Sequence, residues 1–314
     1  MKHSFLLLLL LTTTLPFISS EHWCYQSQDE CEEQCYGPSK WHTVYAKCGG
    51  NKQAPINIVT KKTESNPKLK PFTFEGYDRA QDVLVKNNGH SVETALPPGV
   101  RITGAGLADA YKALQFHLHW GSDGQAGSEH TIDGERYPME LHIVHLKEQY
   151  HREEEAVNDA VGFAVLGFLF EESGEDNPSY KGLIDALGRI SHYGFNTTVK
   201  DLRLDDLIPK QEDLARYYRY EGSLTTPGCN EAVVWTLFEK PIPLSRAQLT
   251  AFSQKLFFNT GKPMERIFRP VQQAHGRTVY RSSSSSVLAS TAVLSASIIS
   301  TLGFWSFQFL DLTR

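Results

Sequence analysis

The chain has 314 residues, 40% of them hydrophobic and 21% charged, and carries a formal net charge of −5. This is ordinary globular composition. The acidic balance, with no basic stripe, excludes a nucleic-acid footprint, and there is no internal repeat or coiled-coil heptad.

Residues 1–20 read as a secretory signal peptide. Lys2 and His3 precede six leucines at 6–11, and Ile18-Ser19-Ser20 gives a short polar end. The apolar core is only about seven to twelve residues long, too short for a membrane anchor. Export to an oxidising compartment makes the five cysteines candidates for disulfides. Cys24, Cys31, Cys35 and Cys48 cluster near the mature N-terminus, and Cys229 stands alone. Five is odd, so one is left over, and spacing alone does not fix the pairing.

Residues 21–52 are loops with little periodicity. From about residue 72 short strands alternate with turn signals: 82–86 before Asn87-Asn88-Gly89, 114–120 before Gly121-Ser122-Asp123-Gly124, and 141–146. Residues 160–170 form a continuous apolar run, as in a strand buried on both faces. Residues 180–190 have helical spacing. Asn196-Thr197-Thr198 is an acceptable glycosylation sequon and places Asn196 on a surface loop. A further strand is predicted over 233–238 and a helix over 245–257. Strands dominate, so the expectation is one mainly β domain with peripheral helices, in a folded part of about 260 residues.

The C-terminal end carries five serines, Ser282 to Ser286, then an uncharged stretch over 287–310. Small residues before a terminal apolar tail are the pattern of a GPI-attachment signal. A single transmembrane helix is the alternative, but the stretch is diluted by Ser and Thr and no basic cluster follows it. The expected division is a signal peptide over 1–20, a catalytic domain over 21–278 and a Ser-rich linker over 279–286. The attachment residue is expected within Ser282 to Ser286, at Ser284, and 287–314 is a propeptide removed on attachment.

The chemistry concentrates in Gln115-Phe116-His117-Leu118-His119-Trp120 and Glu140-Leu141-His142. On a strand, His117 and His119 point to one face. His142 lies on a second apolar run, and a long hairpin would bring it alongside. Three histidines leave one position of a tetrahedral zinc open, as a catalytic zinc requires. Gln115 and Glu140 each precede a histidine by two and so share its face, where they can take the second ring N–H. No cysteine is near, which argues against a structural zinc site.

Six ordered blocks carry a resemblance: Gln53-Ala54-Pro55-Ile56-Asn57-Ile58, Asn87-Asn88-Gly89-His90, the Gln115 block through Gly121, Gly127-Ser128-Glu129-His130-Thr131, Glu140-Leu141-His142-Ile143-Val144-His145 and Gly222-Ser223-Leu224-Thr225-Thr226-Pro227. Ala164-Val165-Leu166-Gly167 adds to them. The chain resembles the α-class carbonic anhydrases, most closely the membrane-anchored, extracellular type IV isozymes. The resemblance implies a large, twisted, mostly antiparallel sheet of about ten strands with zinc at the bottom of a cleft. It implies reversible hydration of carbon dioxide to bicarbonate by zinc hydroxide at the outer cell surface.

Residue by residue, the resemblance implies His117, His119 and His142 as Zn2+ ligands, supported by Gln115 and Glu140. Thr225 and Glu129 form a hydrogen-bond relay, and Thr226 lines the substrate side. Val144, Val165, Leu224, Val233 and Trp235 make the apolar wall for carbon dioxide. His90 is the proton shuttle, with Tyr25, Asn87 and Asn88 ordering its water chain. His130 and His145 read as buried, hydrogen-bonded core histidines rather than ligands. Disulfides Cys24–Cys35 and Cys48–Cys229 are implied, leaving Cys31 outside the pattern. Sulfonamide-type inhibitors, a lipid anchor and bicarbonate transporters are the implied partners. A catalytically silent carbonic anhydrase-like binding or adhesion module is the competing reading. Silent relatives lack metal histidines, whereas all three are present here. A side activity as a zinc esterase is a third.

Overall fold

The structure, a computed structural model, describes residues 23–29 and 35–282. It is built on a sheet of 12 strands. Ten follow one path: Asn196–Leu202, Gln81–Asn87, Val92–Ala95, Tyr111–Trp120, Met139–Lys147, Phe163–Ser173, Val233–Ser245, Tyr217–Gly222, Tyr280–Ser282 and Glu64–Asn66. Phe72–Glu75 and Arg101–Gly104 pair beside it, and a small three-stranded sheet stands apart. Within the large sheet only two pairings are parallel, Phe163–Ser173 with Val233–Ser245 and Tyr280–Ser282 with Glu64–Asn66. The mostly antiparallel, mainly β architecture is therefore as expected.

Alternation sorts the two central strands. On Tyr111–Trp120, Phe116 and Leu118 are fully buried in the larger core cluster, and on Met139–Lys147 so are Leu141 and Ile143. Burying each such side chain is worth about 1.5–3 kcal/mol. That drive fixes the register, because a one-residue slip would send the apolar set to the opposite face. The other face presents His117, His119 and His142. The antiparallel pairing sets His117 opposite His142 and His119 opposite Glu140. The hairpin expectation is thus realised, with Tyr111–Trp120 and Met139–Lys147 both longer than the sequence suggested.

Several boundaries move. The apolar run is a strand over Phe163–Ser173, buried through Phe170. The helical pattern over 180–190 contracts to Lys181–Leu187, and that over 245–257 to Arg246–Lys255, capped by a Ser245–Gln248 box. The strand expected over 233–238 runs on to Ser245 through Pro241 and Pro243. Beyond Phe238 it pairs on one side only, so the missing proline N–H groups leave no ladder bond unmade. Asn196 is exposed, but it opens the edge strand Asn196–Leu202 rather than sitting on a loop.

Tyr280–Ser282 is also a strand, with Arg281 opposite Tyr218. The Ser282 hydroxyl donates to Ala215 O at 2.8 Å and accepts from Tyr217 N–H at 3.0 Å. The sheet therefore reaches past the expected boundary at 278. Ser282 is the last residue of that strand. The rest of the serine run through Ser286, with Ser284 in its middle, lies outside the described residues, as do the propeptide, the signal peptide and Cys31. Among the described residues no helix is long and apolar enough to cross a membrane.

Candidate metal centre and its cleft

The three histidines converge through named atoms. His119 Nε2 stands 3.2 Å from His142 Nδ1, which stands 3.3 Å from His117 Nε2. Each outer ring nitrogen meets an acceptor. His119 Nδ1 is 2.9 Å from the carbonyl oxygen of Ile267, His117 Nδ1 is 2.9 Å from Gln115 Oε1, and His142 Nε2 is 2.7 Å from Glu140 Oε1. A carbonyl or carboxylate oxygen can only accept, so the outer nitrogens carry the protons and the inner ones carry lone pairs. Three lone pairs then face one another with no proton between them. Burial, then the neighbouring His119 and His142, holds the His117 pKa well below its ordinary value, so its ring stays neutral. Burial likewise lowers that of His119.

This arrangement suits a cation. Nitrogen ligands about 2.0–2.1 Å from a tetrahedral zinc stand about 3.3–3.4 Å apart, and His142 Nδ1 already lies near that spacing from the other two inner nitrogens. His117, His119 and His142 can hold a metal; His130, Glu140 and His142 form a second compact, fully buried group. The second group is better read as support for the first. Glu140 Oε1 takes bonds from His142 Nε2 and His130 Nδ1, both at 2.7 Å, and Oε2 takes the N–H groups of Glu129 and His130, both at 2.8 Å. Burial pushes the Glu140 pKa up, but the electrostatic pull and hydrogen bonds of His130 and His142 outweigh it and hold the carboxyl well below its usual range. His130 is fixed from behind by Tyr220 Oη at 2.6 Å. It is the core histidine the sequence suggests, and it also anchors the carboxylate behind His142, a role nothing in the sequence signals.

A tight connection delivers Glu129 and His130 to that carboxylate. A Cβ on Gly127 would stand 1.8 Å from Gly121 N, and one on Gly121 would stand 2.4 Å from Ala126 O. Only glycine permits this crossing of backbones. Glu129 is fully buried, and its Oε1 accepts the Arg269 N–H at 2.8 Å. Its Oε2 has no hydrogen-bond partner and lies 3.5 Å from His119 Nε2. An orphaned carboxylate oxygen costs about 1–3 kcal/mol or more when buried, so it marks a place for a hydrogen-bond donor. The expected Thr225 hydroxyl bond to Glu129 is not among the structure's hydrogen bonds; Thr225 is buried and lines the cleft of the three histidines.

That cleft, about 210 Å³, is lined by His117, His119, His142, Gln115, His90, Asn88, Tyr25, Thr225 and Thr226, with Val144, Val165, Leu224 and Trp235 as its apolar side. The wall follows from the register. Val144 pairs with Val165, and Val165 with Trp235, so the three lie in one cross-strand row. Two expected members are elsewhere. Val233 is fully buried in the same apolar cluster as Val144, Val165 and Trp235 and does not line the cleft. Asn87 is fully buried as well, its amide donating to Phe257 O at 3.1 Å and Ser191 O at 3.3 Å. Asn87 ends the strand Gln81–Asn87 on its buried side, whereas Asn88, just beyond the strand, reaches the cleft.

Other cleft residues were not anticipated: Trp23, Ser91, Glu93, Glu153 and Phe163. The His90 ring stacks on Trp23, with centroids 3.7 Å apart and planes 14° from parallel. Nothing in the sequence pairs these two residues. Glu93 was findable only once Val92–Ala95 is placed against Tyr111–Trp120, opposite His117.

Both expected disulfides are present, Cys24–Cys35 and Cys48–Cys229. The second ties the Thr225 loop to the N-terminal segment. Cys229 N–H donates to Thr226 O at 2.9 Å, Gln53 Nε2 donates to Cys229 O at 3.2 Å, and Arg269 bridges Gln53 Oε1 at 2.9 Å and Cys48 O at 3.1 Å.

Comparison with known proteins gives the same reading. The family model for eukaryotic-type carbonic anhydrases matches residues 36–283. Carbonic anhydrase 4 of Rattus norvegicus is 43% identical over 288 residues, covering 91% of this chain and 92% of that protein. Carbonic anhydrase 4 of Oryctolagus cuniculus is 44% identical over 278 residues, 88% and 89% of the two chains. Carbonic anhydrase 12 of Homo sapiens is 37% identical over 294 residues, 91% and 80%. On these matches, the chain belongs to the eukaryotic-type carbonic anhydrases.

Proposed function

We propose that the chain catalyses the reversible hydration of carbon dioxide at a zinc ion held by His117, His119 and His142. The observation that carries this is the set of three mutually facing lone pairs, each fixed by an acceptor behind it. Zinc bound there supplies an acid that brings its water to a pKa of about 7, a value established for carbonic anhydrases as a class.

The chain's own residues do the rest. Gln115, Ile267 O and Glu140 keep the imidazoles oriented with their protons outward. The orphaned Glu129 Oε2 accepts a hydrogen bond from the Thr225 hydroxyl, which leaves the Thr225 oxygen turned to accept from the nucleophile and aim it. Carbon dioxide is uncharged, so the row of Val144, Val165 and Trp235, closed by Leu224, suits it. Thr226 lines the substrate side of the cleft. His90, at the cleft and stacked on Trp23, carries the proton outward; Tyr25 and Asn88 order its water path.

The signal at 1–20 and the tail beyond Ser282 support export and attachment to the outer face of the plasma membrane. The attachment is through a GPI lipid at Ser284, within the serine run that ends at Ser286, and Asn196 carries a glycan. Bicarbonate transporters are the partner class that such a location favours. Release of the cell-surface protein by a phosphatidylinositol-specific phospholipase tests the anchor, and retention would favour a transmembrane tail. The activity itself is tested by stopped-flow hydration of carbon dioxide and its inhibition by a simple aryl sulfonamide. Folded protein that neither hydrates carbon dioxide nor binds sulfonamide would move the silent binding module to first place.

A further inference from the structure

The cleft wall carries a carboxylate that hydration of a neutral gas does not call for. Glu93 stands directly opposite His117 in the antiparallel register, so its side chain shares the face of the metal ligands. It lines the cleft with Asn88, His90, Gln115 and Glu153. Two neighbours hold it in place. Asn88 Nδ2 donates to its Oε2 at 3.1 Å, and Lys86 Nζ lies 2.7 Å from its Oε1. The Lys86 side chain is 46% exposed and that of Glu93 23%, so the ammonium sits on the solvent side of the pair and is screened.

Lys86 does not cancel the charge seen from inside the cleft. Glu153, the second carboxylate on the wall, has its pKa raised, first by burial and then by repulsion from Glu154 and Glu93. Trp23, Tyr25 and Gln115, which also face this region, carry no formal charge, and among the described residues no lysine or arginine lines the cleft. The approach to the metal is therefore flanked by two carboxylates against one exposed lysine.

We propose that Glu93 is a charge-selecting residue of this cleft. A ligand whose head group sits at the metal is favoured when the part passing Glu93 is cationic and disfavoured when it is anionic. Carbon dioxide, being uncharged, escapes the filter. The inference rests on the metal-site reading above.

The test uses two inhibitors with one head group and opposite tails, para-(aminomethyl)benzenesulfonamide and para-carboxybenzenesulfonamide, at neutral pH and low ionic strength. The wild-type protein is expected to bind the ammonium compound more tightly. Glu93→Gln should weaken that compound and tighten the carboxylate compound by about threefold each, the size of an exposed ion pair, so that the ratio of inhibition constants shifts about tenfold. Lys86→Met, which unmasks Glu93, should move the ratio the other way, and added salt should shrink it. A ratio identical in wild type and Glu93→Gln, or unmoved by Lys86→Met, overturns the proposal while leaving the metal site standing. Failure of both compounds to inhibit the wild type overturns the metal-site reading and the charge filter together.

Discussion

Removing the Cys48–Cys229 bridge by a double change to alanine is the perturbation that most directly couples stability to the catalytic loop. The bridge spans a sequence separation of 181, for which the chain-entropy relation gives about 5 kcal/mol of destabilised unfolded state. For a domain of this size that corresponds to a fall in Tm of about 10–20 °C. A second effect is local. Cys229 holds a φ of 41°, a left-handed conformation that is costly for a residue with a side chain. The bridge and the Gln53 bond to Cys229 O keep it there, three residues from Thr226. Without the bridge the Thr225 loop is expected to relax. A shift of about 1 Å in a positioning group can cost about a hundredfold in rate, so kcat/KM should fall as well. Guanidinium unfolding of metal-stripped protein, followed by tryptophan fluorescence, isolates the stability effect from metal binding, and stopped-flow hydration of the metal-loaded variant reads the loop. An unchanged unfolding midpoint together with unchanged kcat/KM would refute both parts of the reasoning.

Other predictions concern the proton path and the buried histidines. His90→Ala should lower kcat by at least about tenfold in weakly buffered medium, leave kcat/KM for carbon dioxide nearly intact, and recover on adding imidazole; unchanged kcat would remove His90 from the shuttle role. Glu129→Gln should cost about 10²–10³ in kcat while metal analysis still finds one ion per chain, and wild-type kcat/KM would refute the relay. His145 is fully buried, with Nε2 2.8 Å from Tyr77 Oη and Nδ1 3.1 Å from Ala164 O. Burial lowers its pKa to about 4, against a partial upward pull from its backbone bonds. Its stability contribution is therefore whole above about pH 6.5 and is lost as pH falls toward 4, amounting to about 3 kcal/mol. Unfolding free energy measured across that window should show the decline, and His145→Gln should flatten it.

Much of the metal site is legible because its spacing repeats the strand period. His117 and His119 are two apart, and Gln115 and Glu140 stand two before a ligand, so a strand puts each set on one face without further information. What the period cannot supply is which strand lies alongside. The Val144–Val165–Trp235 row and the place of Glu93 opposite His117 depend on pairing register. Asn87 shows a different gap. Asn87 and Asn88 read as one polar turn, but the strand runs through Asn87 and turns its amide into the interior. The prolines at 241 and 243 concealed a strand end because only one flank is paired there. Tyr280–Ser282 carries no hydrophobic pattern of its own and is a strand only because partners on both sides offer free backbone groups. That is why the serine run from Ser282 to Ser286 reads as linker throughout, although its first residue is held in the sheet. The Trp23–His90 stack joins residues 67 apart that no local rule connects.

The central claim is that three neutral imidazoles hold a zinc ion that the hydration reaction needs. Stopped-flow hydration of carbon dioxide should be recorded on the purified protein as isolated, after stripping with a chelator, and after returning zinc. The account predicts fast hydration that disappears with the metal, returns with about one zinc per chain, and cannot be restored in His119→Ala. Hydration that persists in fully stripped protein, or that His119→Ala leaves intact, would contradict it.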